Sequence, residues 1–138
     1  MLSVTEFPTP GQIINKLDQL VVFKPAGTSY ELHLQTASPY EGPIQEPIDV
    51  VIRVTARKVY TVPSGGNFIQ PIFGPPRIVQ GRVKYADESQ LVVHASANFV
   101  VELPASDSAI DLNSGRIAVG SMVNVVALPG AMLEVIGS

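Results

Sequence analysis

The chain contains no cysteine and no tryptophan. The first absence excludes disulfides, thiolate nucleophiles and cysteine-ligated metals, so stability has to come from packing alone. Charge is scarce too. Only 15% of the 138 residues are Asp, Glu, Lys or Arg, against roughly 25% in typical soluble domains, while 46% are apolar. No apolar run approaches the ~18 residues that a membrane helix needs, so no membrane association is expected. Residues 1–6 lack the basic start and long apolar stretch of a signal peptide, which points to the cytoplasm. An apolar chain without a membrane segment favours burial against another copy, so a homo-oligomer is expected. One domain over residues 1–138 suits this length.

The most informative absence is local. Residues 50–86 hold no acidic residue, yet they carry six of the nine basic ones: Arg53, Arg57, Lys58, Arg77, Arg82 and Lys84. All twelve carboxylates lie outside, against Lys16, Lys24 and Arg116, in a chain of net charge −3. A cationic segment in a mildly acidic protein usually faces something anionic.

The pattern of apolar residues predicts a strand-rich chain with one short helix. Thr9-Pro10-Gly11 offers an N-cap and a proline at the first helical position, and Ile13, Ile14, Leu17 and Val21 follow at helical spacing. Residues 1–24 are therefore expected to form a helix ending near Gln19 and a lead-in strand. From Tyr30 onward the period is two. Tyr30, Leu32 and Leu34 alternate with Glu31, His33 and Gln35, which puts His33 on an exposed face. A long strand carries Ile48, Val50, Ile52, Val54 and Ala56 on one side and Arg53, Thr55 and Arg57 on the other. Near Lys58 the alternation slips, which predicts a bulge. Residues 63–76 form a loop with four prolines and three glycines that also holds Phe68, Ile69, Ile72 and Phe73. Strands are expected over 78–85, 91–95, 99–103, 122–128 and 132–136, with one helical turn around Asp107 to Leu112. No repeat period is visible. Short strands separated by turn signals predict an all-β fold. Its form is a small closed or partly open barrel of the oligonucleotide-binding or SH3-like kind, with a β-sandwich as second choice.

Reactive constellations are missing from the pattern. His33 and His94 lack metal-ligand spacing, and Glu102 is expected to lie across a hairpin from His94 as an ordinary contact. No Gly-x-Ser-x-Gly occurs, and the serines fall in turns. Asp49, Asp107 and Asp111 could meet, but nothing in their spacing requires it. Arg53-Val54-Thr55-Ala56-Arg57 and Asp111-Leu112-Asn113-Ser114-Gly115 partly resemble the RxxxR and DxSxGG signature of PilZ domains, small barrels that bind cyclic di-GMP. That likeness breaks at Asn113, at Arg116 and in the separation of the two patches, so it is set aside as coincidence. No enzymatic role, cofactor or metal is expected.

The strand faces are the better lead. Gln80, Arg82 and Lys84 share one face of their strand, opposite Val79, Val83 and Tyr85. If that strand lies beside the one carrying Arg53 and Arg57, four cations form one patch. Tyr60, Phe68 and Phe73 could then supply stacking surfaces, as in single-stranded nucleic-acid binders. The expected function is a non-enzymatic module whose residues Arg53, Arg57, Arg82, Lys84, Tyr60, Phe68 and Phe73 meet nucleic acid or another polyanion. The alternative is a self-assembling scaffold protein whose apolar loop and low-charge surface form subunit contacts.

Overall fold

A computed structural model describes residues 7–17, 19–37, 39–63, 65–87, 89–103, 110–111 and 117–136. Twelve strands form a single sheet, and no helix occurs among the described residues. In order they are β1 (Thr9–Leu17), β2 (Leu20–Pro25), β3 (Glu31–Gln35), β4 (Pro47–Thr61), β5 (Phe68–Gln70), β6 (Phe73–Gly74), β7 (Ile78–Ala86), β8 (Gln90–His94), β9 (Asn98–Glu102), β10 (Ile110–Asp111), β11 (Met122–Ala127) and β12 (Met132–Val135).

The expected N-terminal helix is absent, because those residues form β1. Thr9, Gly11 and Ile13 are buried at period two, and all three precede a β-bulge between Ile13 and Asn15 in the pairing with β2. The bulge breaks the alternation, so the apolar residues imitate a helical spacing while the β-branched isoleucines suit the sheet. The helical turn expected around Asp107 to Leu112 meets strand β10 at Ile110–Asp111, and its other residues lie outside the described ones.

The fifteen-residue strand β4 organises the molecule. One edge pairs with β1 and then, in parallel, with β9; the other pairs with β12 and then β11. The pairings β4–β11–β7–β8–β9–β4 close a ring of five strands. A second circuit runs β4–β1–β2–β3–β12–β4. It closes thinly, through the bridge of Met132 with Gln35 and a 2.8 Å bond from the Gln35 N–H to the Ala131 carbonyl. Strands β5 and β6 of the proline-rich segment attach to β7 and β3, so that segment folds back over the sheet.

The two circuits repeat one another in register. Ile13 pairs with Phe23 as Val83 pairs with Val93, and each pair is followed by a one-residue bulge, at Ile14 and at Lys84. Val22 meets His33 as Val92 meets Val100, and Gly11 meets Ile48 as Gly81 meets Val123. The chain thus holds an internal structural repeat that its residue types hide.

Residues from both circuits share one core, including Phe23, Leu32, Leu34, Ile52, Val59, Val83, Val93, Phe99 and Val125. A smaller cluster of Val51, Val92 and Val100 lies apart from it, with Phe7, Tyr85 and Ile136 packed against it. Val51 belongs to the same alternation as Asp49 and Arg53, so that face of β4 is apolar and buried at Val51 rather than wholly polar. Fully burying each such side chain contributes about 1.5–3 kcal/mol.

Candidate anion-binding cleft

The slip near Lys58 is present as a bulge. Val126 pairs with Lys58 but Ala127 pairs with Ala56, which leaves Arg57 as the extra residue. Arg57 and Lys58 are both exposed, between buried Ala56 and Val59. A polar pair set between two buried small residues is the sequence mark of that bulge.

The four expected cations do not form one patch, because β11 lies between β4 and β7. Arg53 is half-buried and its Nε stands 3.6 Å from Glu134 Oε1. Arg82 pairs across with Met122 and donates from Nη1 to the Gly120 carbonyl at 2.9 Å. Lys84 is exposed at the β7 bulge, which carries Tyr85 away from the face of Val83 and onto the Val92 cluster. Gln80, expected to be exposed, is buried: it donates to the Gly66 carbonyl at 2.9 Å and accepts from Asn124 Nδ2 at 3.0 Å.

Two of the aromatic residues serve the sheet. Phe68 is half-buried opposite Gln80, and Tyr60 carries Lys58 Nζ at 5.6 Å from its ring centroid. Phe73 stays 62% exposed and meets His33 edge-on at 4.6 Å between ring centroids.

What the fold does assemble is a cleft of about 1110 Å³ whose polar lining is His33, Gln35, Arg57, Gln70 and Arg77. Arg57 comes from the β4 bulge. Arg77 precedes β7, bonding through its N–H to the Gln70 carbonyl and through its own carbonyl to the Ala127 N–H, both at 2.8 Å. Since Ala127 also pairs with Ala56, the two arginines flank the end of β11 about two strand spacings, roughly 10 Å, apart. Prolines 71, 75, 76 and 129, with Leu20, Ile78, Val126 and Leu128, supply apolar walls, and among the described residues no carboxylate lines the cleft. Neither guanidinium makes an ion pair among the described residues.

His33 is half-buried rather than exposed as expected, and its Nε2 has no hydrogen-bond partner among the described residues. Sequence reasoning missed His33, Gln35, Gln70 and Arg77 as site residues. Arg77 had one available signal, because the two prolines before it restrict the backbone that leads into it.

Elsewhere His94 Nδ1 lies 2.8 Å from Asn98 Oδ1, and Glu102 stands opposite Gln90 rather than His94. Asp49 and Asp111 pair at opposite ends of β4, with Pro10 and Tyr60 as their register partners, so they do not meet. Asp107 and residues 112–116, which include Asn113 and Arg116, lie outside the described residues. Among the described residues no three His, Asp or Glu side chains group to hold a metal, and no helix is long and apolar enough to cross a membrane. No family model, curated protein or solved structure matches this chain.

Proposed function

We propose that this protein is a non-enzymatic, cytoplasmic binding module. Its five-strand ring serves as a small barrel of the oligonucleotide-binding or SH3-like kind, and its ligand is an anion with an apolar body. The observation that carries this reading is the cleft, without a carboxylate among its described lining residues, in which Arg57 and Arg77 flank β11 between proline-rich walls. Two positive charges with no carboxylate beside them among the described residues attract an anion, and the apolar walls reward burial of its remainder. Single-stranded nucleic acid suits the site less well. Arg53 and Arg82 are engaged by Glu134 and Gly120, which leaves no continuous cationic track among the described residues for a backbone to follow.

Anilinonaphthalene sulfonate, an apolar anion, tests the reading. The native protein is expected to enhance its fluorescence saturably at low salt and less at high salt. Arg57→Ala with Arg77→Ala should weaken binding by about tenfold or more, since each hydrogen bond to a charged group contributes roughly 1.5–3 kcal/mol. Equal enhancement by the variant would put the anion elsewhere.

A second reading, self-assembly, is favoured by Ile72 and Phe73, which are 63% and 62% exposed. They are nonetheless held firmly: the Glu31 N–H donates to the Ile72 carbonyl at 2.8 Å, and the Ile69 N–H donates to Tyr30 Oη at 3.1 Å. Large apolar side chains on a braced segment are a feature of interaction surfaces.

A further inference from the structure

The loop between β3 and β4 is the charge counterpart of the cleft. Residues 41–46 are all exposed and include Glu41 and Glu46, with Ile44 43% exposed between them. Neither glutamate makes an ion pair among the described residues. The loop is nevertheless set in one shape. Tyr40 Oη donates to the Pro43 carbonyl at 2.7 Å, and the Gln45 N–H donates to the Ile13 carbonyl at 2.7 Å. The Tyr40 ring packs against the core and lies against Gly42. Burial first, and then the Glu46 carboxylate, raise the Tyr40 phenol above its ordinary range, which sets Glu46 beside this anchor. A loop already in shape loses little conformational freedom when it is gripped.

The cleft offers the complement: Arg57 and Arg77 for two carboxylates, and exposed Leu128 with the prolines of its lining for an apolar side chain. Residues 41–43 line a separate cavity with β12 and the start of β4, and no residue of the loop lines the cleft. The loop and its counterpart are therefore two different surfaces of one chain. We propose that the cleft of one copy receives the 41–46 loop of a second copy, so that the protein assembles head to tail. This rests on the anion-binding reading of the cleft and names its occupant. A contact between unlike surfaces does not close on itself as a two-fold dimer does. It continues into a filament, or into a ring where the rotation allows.

Sedimentation velocity over a range of concentrations and salt tests this. The wild type is expected to grow beyond a dimer as concentration rises and to fall back toward monomer as salt screens the charges. Glu41→Ala with Glu46→Ala, and Arg57→Ala with Arg77→Ala, should each give a monomer with the wild-type melting temperature. An equimolar mixture of the two variants should form a one-to-one dimer and stop there, because only one intact loop faces one intact cleft. If either alanine pair unfolds, the corresponding glutamine pair takes its place. A wild type that stays monomeric, a closed dimer indifferent to both variants, or a mixture that fails to pair overturns the proposal. The anilinonaphthalene sulfonate titration separates the two levels. Arginine-dependent binding by a protein that never assembles removes the self-docking and keeps the anion cleft, whereas failure of both removes both.

Discussion

Gly81 faces the backbone of its neighbouring strand so closely that a β-carbon would collide with the His94 carbonyl oxygen. Gly11, its counterpart in the other circuit, meets the Lys24 carbonyl in the same way. In both places the obstacle is backbone in a paired strand, which cannot swing aside as a flexible side chain can. Gly81→Ala is therefore expected to cost about 1–3 kcal/mol or more, the usual scale for forcing a carbon into packed space. Urea unfolding would read this as a lower midpoint at an unchanged slope. An unchanged midpoint would mean that β7 and β8 separate at little cost. Two glycines at matching register positions also show why the repeat was hard to see. Few other matched positions keep the same residue, so the likeness lies in what each position must fit.

At the scale of the element, the turn between β7 and β8 is built on one carboxylate. Asp87 Oδ1 accepts the N–H groups of Ser89 and Gln90, both at 2.8 Å, and Oδ2 accepts Tyr85 Oη at 3.0 Å. The bond from the Ser89 N–H is the largest cause that holds the Asp87 carboxyl below its ordinary value, and the Gln90 and Tyr85 bonds add to it. A group whose folded pKa is depressed stabilises the fold above its unfolded value and loses that contribution as pH falls through the folded one. Asp87→Ala is accordingly expected to lower the melting temperature at neutral pH, with the gap to wild type narrowing in acid below the usual carboxylate range. A gap constant with pH would assign the loss to the turn's shape rather than to the charge. Elements were also the scale at which the sequence was most legible. Strands β7, β8, β9, β11 and β12 fall within a residue or two of the spans expected from alternation, and the β4 bulge was marked by the polar pair Arg57-Lys58. The N-terminal helix failed because a bulge in β1 gives isoleucines and leucine a spacing that fits both periods. Pairing partners were the other gap. Strands near in sequence usually neighbour one another, but here β11, from far down the chain, enters between β4 and β7 and divides the expected patch. Arg57 and Arg77 come together only through that insertion, which no local pattern records.

For the molecule as a whole, the question is whether two repeated circuits behave as two bodies. They share β4, and side chains from both belong to one core cluster. Thr9 Oγ1 of β1 also donates to the Asn98 carbonyl at 3.1 Å and accepts the Asn98 N–H at 2.9 Å, which fastens the first strand to β9. Neither circuit can lose its order without exposing side chains of the other. Thermal unfolding is therefore expected as one transition, with the calorimetric enthalpy equal to the van't Hoff enthalpy. Two resolved transitions would mean that β4 stays folded with only one circuit.

The shared strand has a mechanical consequence as well. Partners grip β4 along both edges and over its whole length, from Pro47 opposite Gln12 of β1 to Thr61 opposite Val123 of β11. A pull along its length meets ladders in shear, where several hydrogen bonds must stretch at once, rather than a zipper that opens bond by bond. In a head-to-tail array, tension passed from copy to copy would enter at the loop leading into β4 and leave near the bulge at Arg57. The strand that joins the two circuits would then also be the line along which an assembled fibre resists being drawn apart.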